Sequence, residues 1–292
     1  MVDWKKYNKA LVRRGEVILG FDVIDNWNNE LEKMNDGKEG ASYVYPHSFV
    51  QLLGYMRVYF HLPYRQTEGV VKAHATNKIP SIPYYSTINR RVNKLDVKII
   101  DNISTDDYFI IAIDSTGIKI SNRGQWIRDK WNIRKGYLKI HLAVDIKKKK
   151  VLSIKVSNEK LHDGNQLKHL VDDVIIKNNR IVEIALADGS YDSNKNFRYL
   201  SFNGIIPAIK VRKNAICRKT NHYLRNLSVI AQNNDFDKWK DSVSYGKRWI
   251  AETVFSCIKR RFGEYVSAIK FDNMVKEIMI KISLYNWFIT MV

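Results

Sequence analysis

The chain has 292 residues, enough for two modest domains or one large one, and 45% of them are hydrophobic, ordinary for a soluble globular protein. Its 49 lysines and arginines against 30 aspartates and glutamates leave a formal charge of +19, which favours a polyanionic partner, most commonly nucleic acid. Cys217 and Cys257, with no CxxC or other zinc spacing, exclude a disulfide framework and a cysteine metal site, and read as the reduced thiols of an intracellular protein.

The start, "MVDWKKYNKALVRRGE", lacks the apolar core and small-residue cleavage site of a secretory signal. Residues 1 to about 105 read as mainly helical, broken by the turn-rich "NDGKEG" and "NKIPSIPYYS". "PYRQTEGVVKAHA" and "STINRRVNKL" read as two short helices joined by a proline-containing turn, with Ser86 as the N-cap of the second. Ile88, Val92 and Leu95 form one apolar face of that helix and leave Asn89, Arg90 and Arg91 outside it. Helix–turn–helix modules present the start of their second helix to base edges, so over about 64–95 these three residues are candidate DNA contacts. An ordinary solvated basic helix has the same pattern.

From about 106 the pattern turns to strands. "YFIIAIDSTGIKIS" reads as an apolar strand, a turn and a second short strand. "YLKIHLAVDIKKKKVLSIKVSN" is an alternating hairpin, with Leu138, Ile140 and Leu142 on one side, Lys139 and His141 on the other, and the lysines at 147–150 as its solvated turn. Next come an amphipathic helix in "DGNQLKHLVDDVI", a strand in "IVEIALAD", a helix in "SNKNFRYLSFNG" closed by Gly204, and a short strand in "IIPAIK". This order predicts an α/β fold with a mixed five-stranded sheet flanked by helices, RNase H-like in sequence of elements. "IMIKISLYNWFITMV" is 15 residues long and carries Lys281, so it reads as a buried terminal helix and not as a membrane span.

Two of these strands end on a carboxylate, "IIAID" on Asp114 and "EIALAD" on Asp188. Partial desolvation there costs several kcal/mol unless a cation or hydrogen-bond donors compensate. A lone aspartate at such a place can simply cap a turn; two on neighbouring strands point to a shared cation. In "YGKRWIAETVFSCIK", helical geometry puts Tyr245, Arg248, Glu252 and Lys259 within roughly a 60° arc, opposite Ile250, Val254, Cys257 and Ile258. A surface Glu–Arg pair is the competing reading of Glu252 and Arg248. Three acids in a basic protein have a physical rationale. Phosphodiester cleavage needs an in-line nucleophile and a stabilised leaving oxygen, and two Mg²⁺ ions held by oxygen ligands about 3.5–4 Å apart supply both. Basic neighbours then bind the flanking phosphates. His141 and His162 read as a hairpin side chain and a helix-start residue, Asp145 as solvated beside the lysine turn, and Asp192 as a cap for the helix beginning near Ser193.

"AIDSTGIK", "ALADGSYDS" and "YGKRWIAETVFSCIK" resemble the three catalytic blocks of prokaryotic insertion-sequence DDE transposases. The last fits their Y-(2)-R-(3)-E-(6)-K signature at Tyr245, Arg248, Glu252 and Lys259. "KIHLAVD" and "LHDGNQL" resemble the intervening segments, and "LVRRGEVILGFD" and "YYSTINRR" the N-terminal region. The resemblance implies an N-terminal DNA-binding region over 1–105 and an RNase H-like catalytic domain over 106–292. It implies cut-and-paste transposition, in which water attacks at the element's ends and the freed 3′-OH attacks target DNA. By the same resemblance Asp114, Asp188 and Glu252 bind two Mg²⁺ ions (Mn²⁺ substituting), Arg248 and Lys259 contact phosphates near the cut, and Tyr245 braces them. The implied partners are double-stranded DNA, as terminal inverted repeats and as target, and a second copy of the chain in a paired-end homodimer. No membrane is involved, and the location is cytoplasmic at the nucleoid. The 64 residues from Asp188 to Glu252 leave little room for the β-rich insertion some relatives carry, with Trp239 the candidate for base stacking. Two other functions compete: an RNase H-like nuclease without strand transfer, and a transposase-derived regulator that only binds DNA.

Overall fold

Apolar positions recurring at helical spacing set the first part of the computed structural model, which describes residues 3–20, 22–75, 79–97, 99, 109–120, 136–158, 161–178 and 181–291. The helices here are α1 (Trp4–Leu19), α2 (Trp27–Asn35), α3 (His47–Tyr59), α4 (Tyr64–Ala75) and α5 (Tyr85–Lys94). They form one unit, residues 1–98, together with residues 268–292, which hold the last helix, α11 (Phe271–Thr290). α11, which lies within the 106–292 span read from the sequence, packs with the N-terminal helices. α3 is apolar nearly all round, and a Cβ at Gly54 would stand 3.3 Å from Ile280 Cδ1, so α3 and α11 approach closely. Tyr55 Oη meets Ser283 Oγ at 2.8 Å, and the buried Glu277 pairs with Arg57 at 3.4 Å and Lys281 at 3.6 Å. No helix among the described residues is long and apolar enough to cross a membrane.

Ile88, Val92 and Leu95 are buried as expected. Ser86 is not the N-cap of α5. The N-cap is Tyr84, so the helix starts two residues earlier, and Glu68 Oε2 on α4 accepts the Tyr85 N–H at 2.8 Å, supplying from outside what a capping side chain supplies locally.

The second unit, residues 99–267, is built on a sheet. β1 (Phe109–Ile120) runs through Ser115 and Thr116 where a turn was expected, because β2 (Tyr137–Asp145) pairs antiparallel with it from Ile111–Asp145 to Lys119–Tyr137. Ser121, the last residue of the expected second strand, and the 105/106 boundary lie outside the described residues. β3 (Val151–Asn158) pairs antiparallel with β2, whereas β4 (Val182–Ala187) runs parallel to β1 and β5 (Ile206–Ile209) parallel to β4. The order β3-β2-β1-β4-β5 is the mixed, RNase H-like arrangement expected. A sixth strand, β6 (Tyr265–Val266), joins the end of β1 and is too short to leave a periodic signal.

α6 (Leu167–Asn178), α7 (Asn194–Phe202), α8 (Tyr223–Asn234), α9 (Phe236–Ser242) and α10 (Trp249–Phe262) complete this unit. Its core joins Ile111 and Ile113 of β1, Leu170 and Val174 of α6, Ala185 of β4 and Phe197 of α7, all essentially inaccessible. Gly204, at φ +68°, ends α7 as predicted, in a left-handed conformation that suits glycine. Between Asp188 and Glu252 the chain holds one four-residue strand and otherwise helices, turns and loops, so no β-rich insertion is present there. Asp145 is not solvated but 2% exposed. Its Oδ1 accepts the N–H groups of Lys147 (2.7 Å) and Lys148 (3.1 Å), which caps the lysine turn from inside.

Candidate acidic site

Parallel pairing of Ile113 with Ala187 carries β1 and β4 side by side to their next residues, Asp114 and Asp188. Each carboxylate is held by its own chain. Asp114 Oδ1 accepts the Ser115 N–H at 2.9 Å. Asp188 caps the short 3₁₀ turn Gly189–Tyr191, its Oδ1 accepting the Ser190 N–H at 2.9 Å and the Ser190 hydroxyl at 2.5 Å. The turn-capping and shared-site readings of Asp188 are therefore compatible. The Asp114 carboxyl is pushed up to about 6, mainly by burial. The Ser115 N–H and Arg248 oppose that rise, while the negative charges of Asp188 and Glu252 add to it.

The third block is not one continuous α-helix. Tyr245–Arg248 is a 3₁₀ turn entered through Ser244 at φ +54°, and α10 begins at Trp249. Ile250, Val254 and Ile258 are buried as the apolar back of α10, and Cys257 is half-buried. Arg248 still reaches the sheet: its Nη1 lies 3.3 Å from Asp114 Oδ2 and its Nη2 2.5 Å from Glu252 Oε1. Lys259, about two turns beyond Glu252 along α10, donates to Thr116 Oγ1 of β1 at 2.8 Å. Tyr245 is buried beside them, and burial pushes its hydroxyl up to about 12 against the pull of Arg248. The structure thus gathers Asp114, Asp188, Tyr245, Arg248, Glu252 and Lys259 on one region of the sheet.

Glu252 is 57% exposed and turned to Arg248. As the side chains lie, the described residues contain no group of three or more His, Cys, Asp or Glu able to hold a metal ion. The donor chemistry nonetheless suits a hard divalent cation. Asp114 and Asp188 are oxygen donors on adjacent strand ends, the charge of Asp188 adds to the rise at Asp114, and a guanidinium occupies the position of a counter-charge between Asp114 and Glu252.

Trp239 is 7% exposed, its ring 5.0 Å from that of Tyr245 and 5.5 Å from that of Phe236. It is a core side chain supporting Tyr245, and has no face open to a base. Asp192 does not cap α7; Ser193 does, through the Asn196 N–H. The Asp192 carboxylate is fully buried and receives Arg225 Nε at 2.7 Å and Nη2 at 2.9 Å. His162 does cap a helix start, its Nδ1 accepting the Gly164 N–H. On α5, Asn89 and Arg90 are exposed, whereas Arg91 donates to the Tyr45 carbonyl at 2.9 Å and lies over the Tyr43 ring.

Sequence reading passed over a fourth acid, Asp163. Its Oδ1 receives Lys139 Nζ at 2.7 Å and lies 3.7 Å from Nδ1 of the inaccessible His141, whose Nε2 meets Ser157 Oγ at 2.9 Å. Tyr191 is also inaccessible, and its hydroxyl has no hydrogen-bond partner among the described residues. Burial and the charges of Asp163, Asp114 and Asp188 hold that phenol far above its usual range. One field therefore connects Asp163 and Tyr191 to the two aspartates. The available signal was Asp163 itself, immediately before a glycine at the start of a helix; as a lone residue it looks like an ordinary cap.

Fold and site together define an α/β protein with an acidic centre on the ends of adjacent parallel strands. Residues 106–287 match the family described as Transposase DDE domain, and a second family of the same description matches residues 12–123. The first match covers more than half of the chain, and the protein belongs to this DDE transposase family. Among solved structures the chain is similar to one in a cryo-EM structure of a simian T-cell lymphotropic virus intasome in complex with PP2A regulatory subunit B56 gamma. That similarity has 12% identity and a TM-score of 0.28, over 68% of this chain and 65% of that chain.

Proposed function

We propose that the protein is an active insertion-sequence transposase, cutting DNA at the ends of its element and joining the freed 3′-OH to target DNA. The observation that carries this reading is the pairing that sets Asp114 beside Asp188, with Arg248 linking Asp114 to Glu252. Asp114, Asp188 and Glu252 would hold divalent ions, Mg²⁺ with Mn²⁺ substituting. Bound there, such ions supply an activated attacking oxygen and stabilise the leaving one. Arg248 and Lys259 bind phosphate oxygens at the cut, Arg248 exchanging its carboxylates for the backbone as DNA arrives. Tyr245, supported by Trp239, fixes the turn from which Arg248 projects. The region 1–105 contributes DNA recognition through Asn89 and Arg90, and through Arg91 if it leaves Tyr45, while 106–292 contributes catalysis. Two element ends in one assembly require a homodimer, working at the nucleoid of a prokaryotic cell.

A nicking assay on the element's own terminal inverted repeats with Mg²⁺ tests the reading. Asp188→Asn retains DNA binding and loses nicking. Undiminished nicking by that variant removes Asp188 from the mechanism.

A further inference from the structure

Between Asp192 and Asp235 the sequence holds eight lysines and arginines and not one acid. The fold gives this stretch a shape. An open groove of about 320 Å³ is lined by Arg212, Arg218 and Arg225 together with Asn194, Asn214 and Asn221. Its floor is fixed, because the buried Asp192 carboxylate takes both Arg225 nitrogens and also accepts the Arg212 N–H at 3.1 Å. Amides hold the wall. Asn221 receives Asn194 Nδ2 at 3.0 Å and donates to the Ile216 carbonyl at 3.1 Å, while Asn226 Nδ2 donates to the Arg218 carbonyl at 2.9 Å.

Within this frame the charges are unequal. Arg225 is neutralised by Asp192, and Arg212 Nε is turned to the Gly189 carbonyl at 3.3 Å. The Arg218 guanidinium makes no hydrogen bond or ion pair among the described residues, and the residue is exposed. A free guanidinium at the lip of a groove framed by amides is built for a phosphate oxygen. Gly189 directly follows Asp188, so the Arg212 contact ties the groove to the turn that presents the acidic site. Tyr223, 61% exposed, stands at the start of α8 beside the groove wall and offers an aromatic face to a sugar or base.

We propose that this groove binds the phosphodiester backbone of the DNA strand as it runs away from Asp114 and Asp188, with Arg218 as its principal phosphate contact. This inference rests on the transposase reading and extends it to a second point of attachment on the catalytic unit.

The test is fluorescence anisotropy on a terminal-repeat duplex without divalent metal, over a KCl series, with folding checked by circular dichroism. Arg218→Gln is expected to reduce the log–log salt slope by about 0.9 and to weaken binding several-fold at low salt, while Arg218→Lys preserves the slope. Lys195→Gln, exposed on α7 and not lining the groove, is the comparison. An unchanged slope in Arg218→Gln overturns the groove assignment, and so does an equal fall in Lys195→Gln, which indicates a diffuse field. Perturbation of groove resonances by inorganic phosphate with no change in the DNA slope assigns the groove to a small anion and also overturns it. A wild-type chain that binds no DNA overturns the transposase reading and the groove with it; the other outcomes leave that reading standing.

Discussion

The Arg248 guanidinium joins Asp114 on β1 to Glu252 on α10, with contacts of 3.3 Å and 2.5 Å across 134 and 4 residues of chain. Without it, two carboxylates that repel one another have no counter-charge in a half-buried region. Arg248→Met should therefore destabilise the fold only modestly, by about 1 kcal/mol, since Glu252 is largely exposed and water screens its pair. On the proposed function nicking should fall much further, by about 10²-fold or more, because the variant would lose a charge proposed to bind the reacting phosphate. Chemical denaturation and single-turnover nicking on the same preparations check both halves.

The Asp192–Arg225 pair behaves differently, for the carboxylate is fully buried and the guanidinium is 14% exposed. Arg225→Ala leaves that charge uncompensated and should cost about 3–5 kcal/mol, measured as a fall in the urea midpoint. The double variant Asp192→Asn/Arg225→Gln should recover part of the loss, since neither remaining group is ionised.

Much of the candidate site's placement was legible because strand pattern and chemistry collide at Asp114 and Asp188: an apolar run that ends on an acid marks itself. The one-faced pattern of Glu252 and Lys259 was legible for the same reason, although the 3₁₀ turn at Tyr245–Arg248 was not, since Gly246 and the left-handed Ser244 act below the resolution of a helical wheel. What stayed hidden depends on distant partners. Asp192 resembles a helix cap until Arg225, 33 residues on, is folded against it. Asp145 resembles a surface residue until the lysine turn closes over it. The packing of α11 with α3 is invisible to periodicity, which reports that a face is apolar and never which other face covers it.

Trp239 supplies a third test. Its ring is enclosed by Phe236 and Tyr245, so Trp239→Ala should destabilise the protein by about 3–5 kcal/mol, whereas Trp239→Phe should cost far less. DNA affinity of the phenylalanine variant should match wild type in a binding titration. A large loss of affinity without loss of stability would restore a stacking role.

Stability should also respond to pH through His141. Burial lowers its proton affinity below the ordinary value of 6.5; Asp163 pulls the other way and Lys139 reinforces the fall. The folded state therefore prefers neutral imidazole. That contribution is fully present above the unfolded value, and it is lost as pH falls through the lower folded one. Lys155 faces His141 in the β2–β3 register and adds no attraction for the proton. Thermal midpoints of wild type should drop more steeply on acidification than those of His141→Gln, and parallel curves would exclude this origin.

The central claim is that Asp114, Asp188 and Glu252 converge on the same bound ions once Glu252 leaves Arg248. Mn²⁺ binding followed by electron paramagnetic resonance, on the DNA-bound protein and on Asp114→Asn, Asp188→Asn and Glu252→Gln, tests this most directly. Each substitution is predicted to weaken the same population of bound Mn²⁺ by at least the roughly tenfold that loss of a ligand's outer-shell partner alone costs. Mn²⁺ binding that is unchanged in Glu252→Gln, with DNA still in place, would contradict the account.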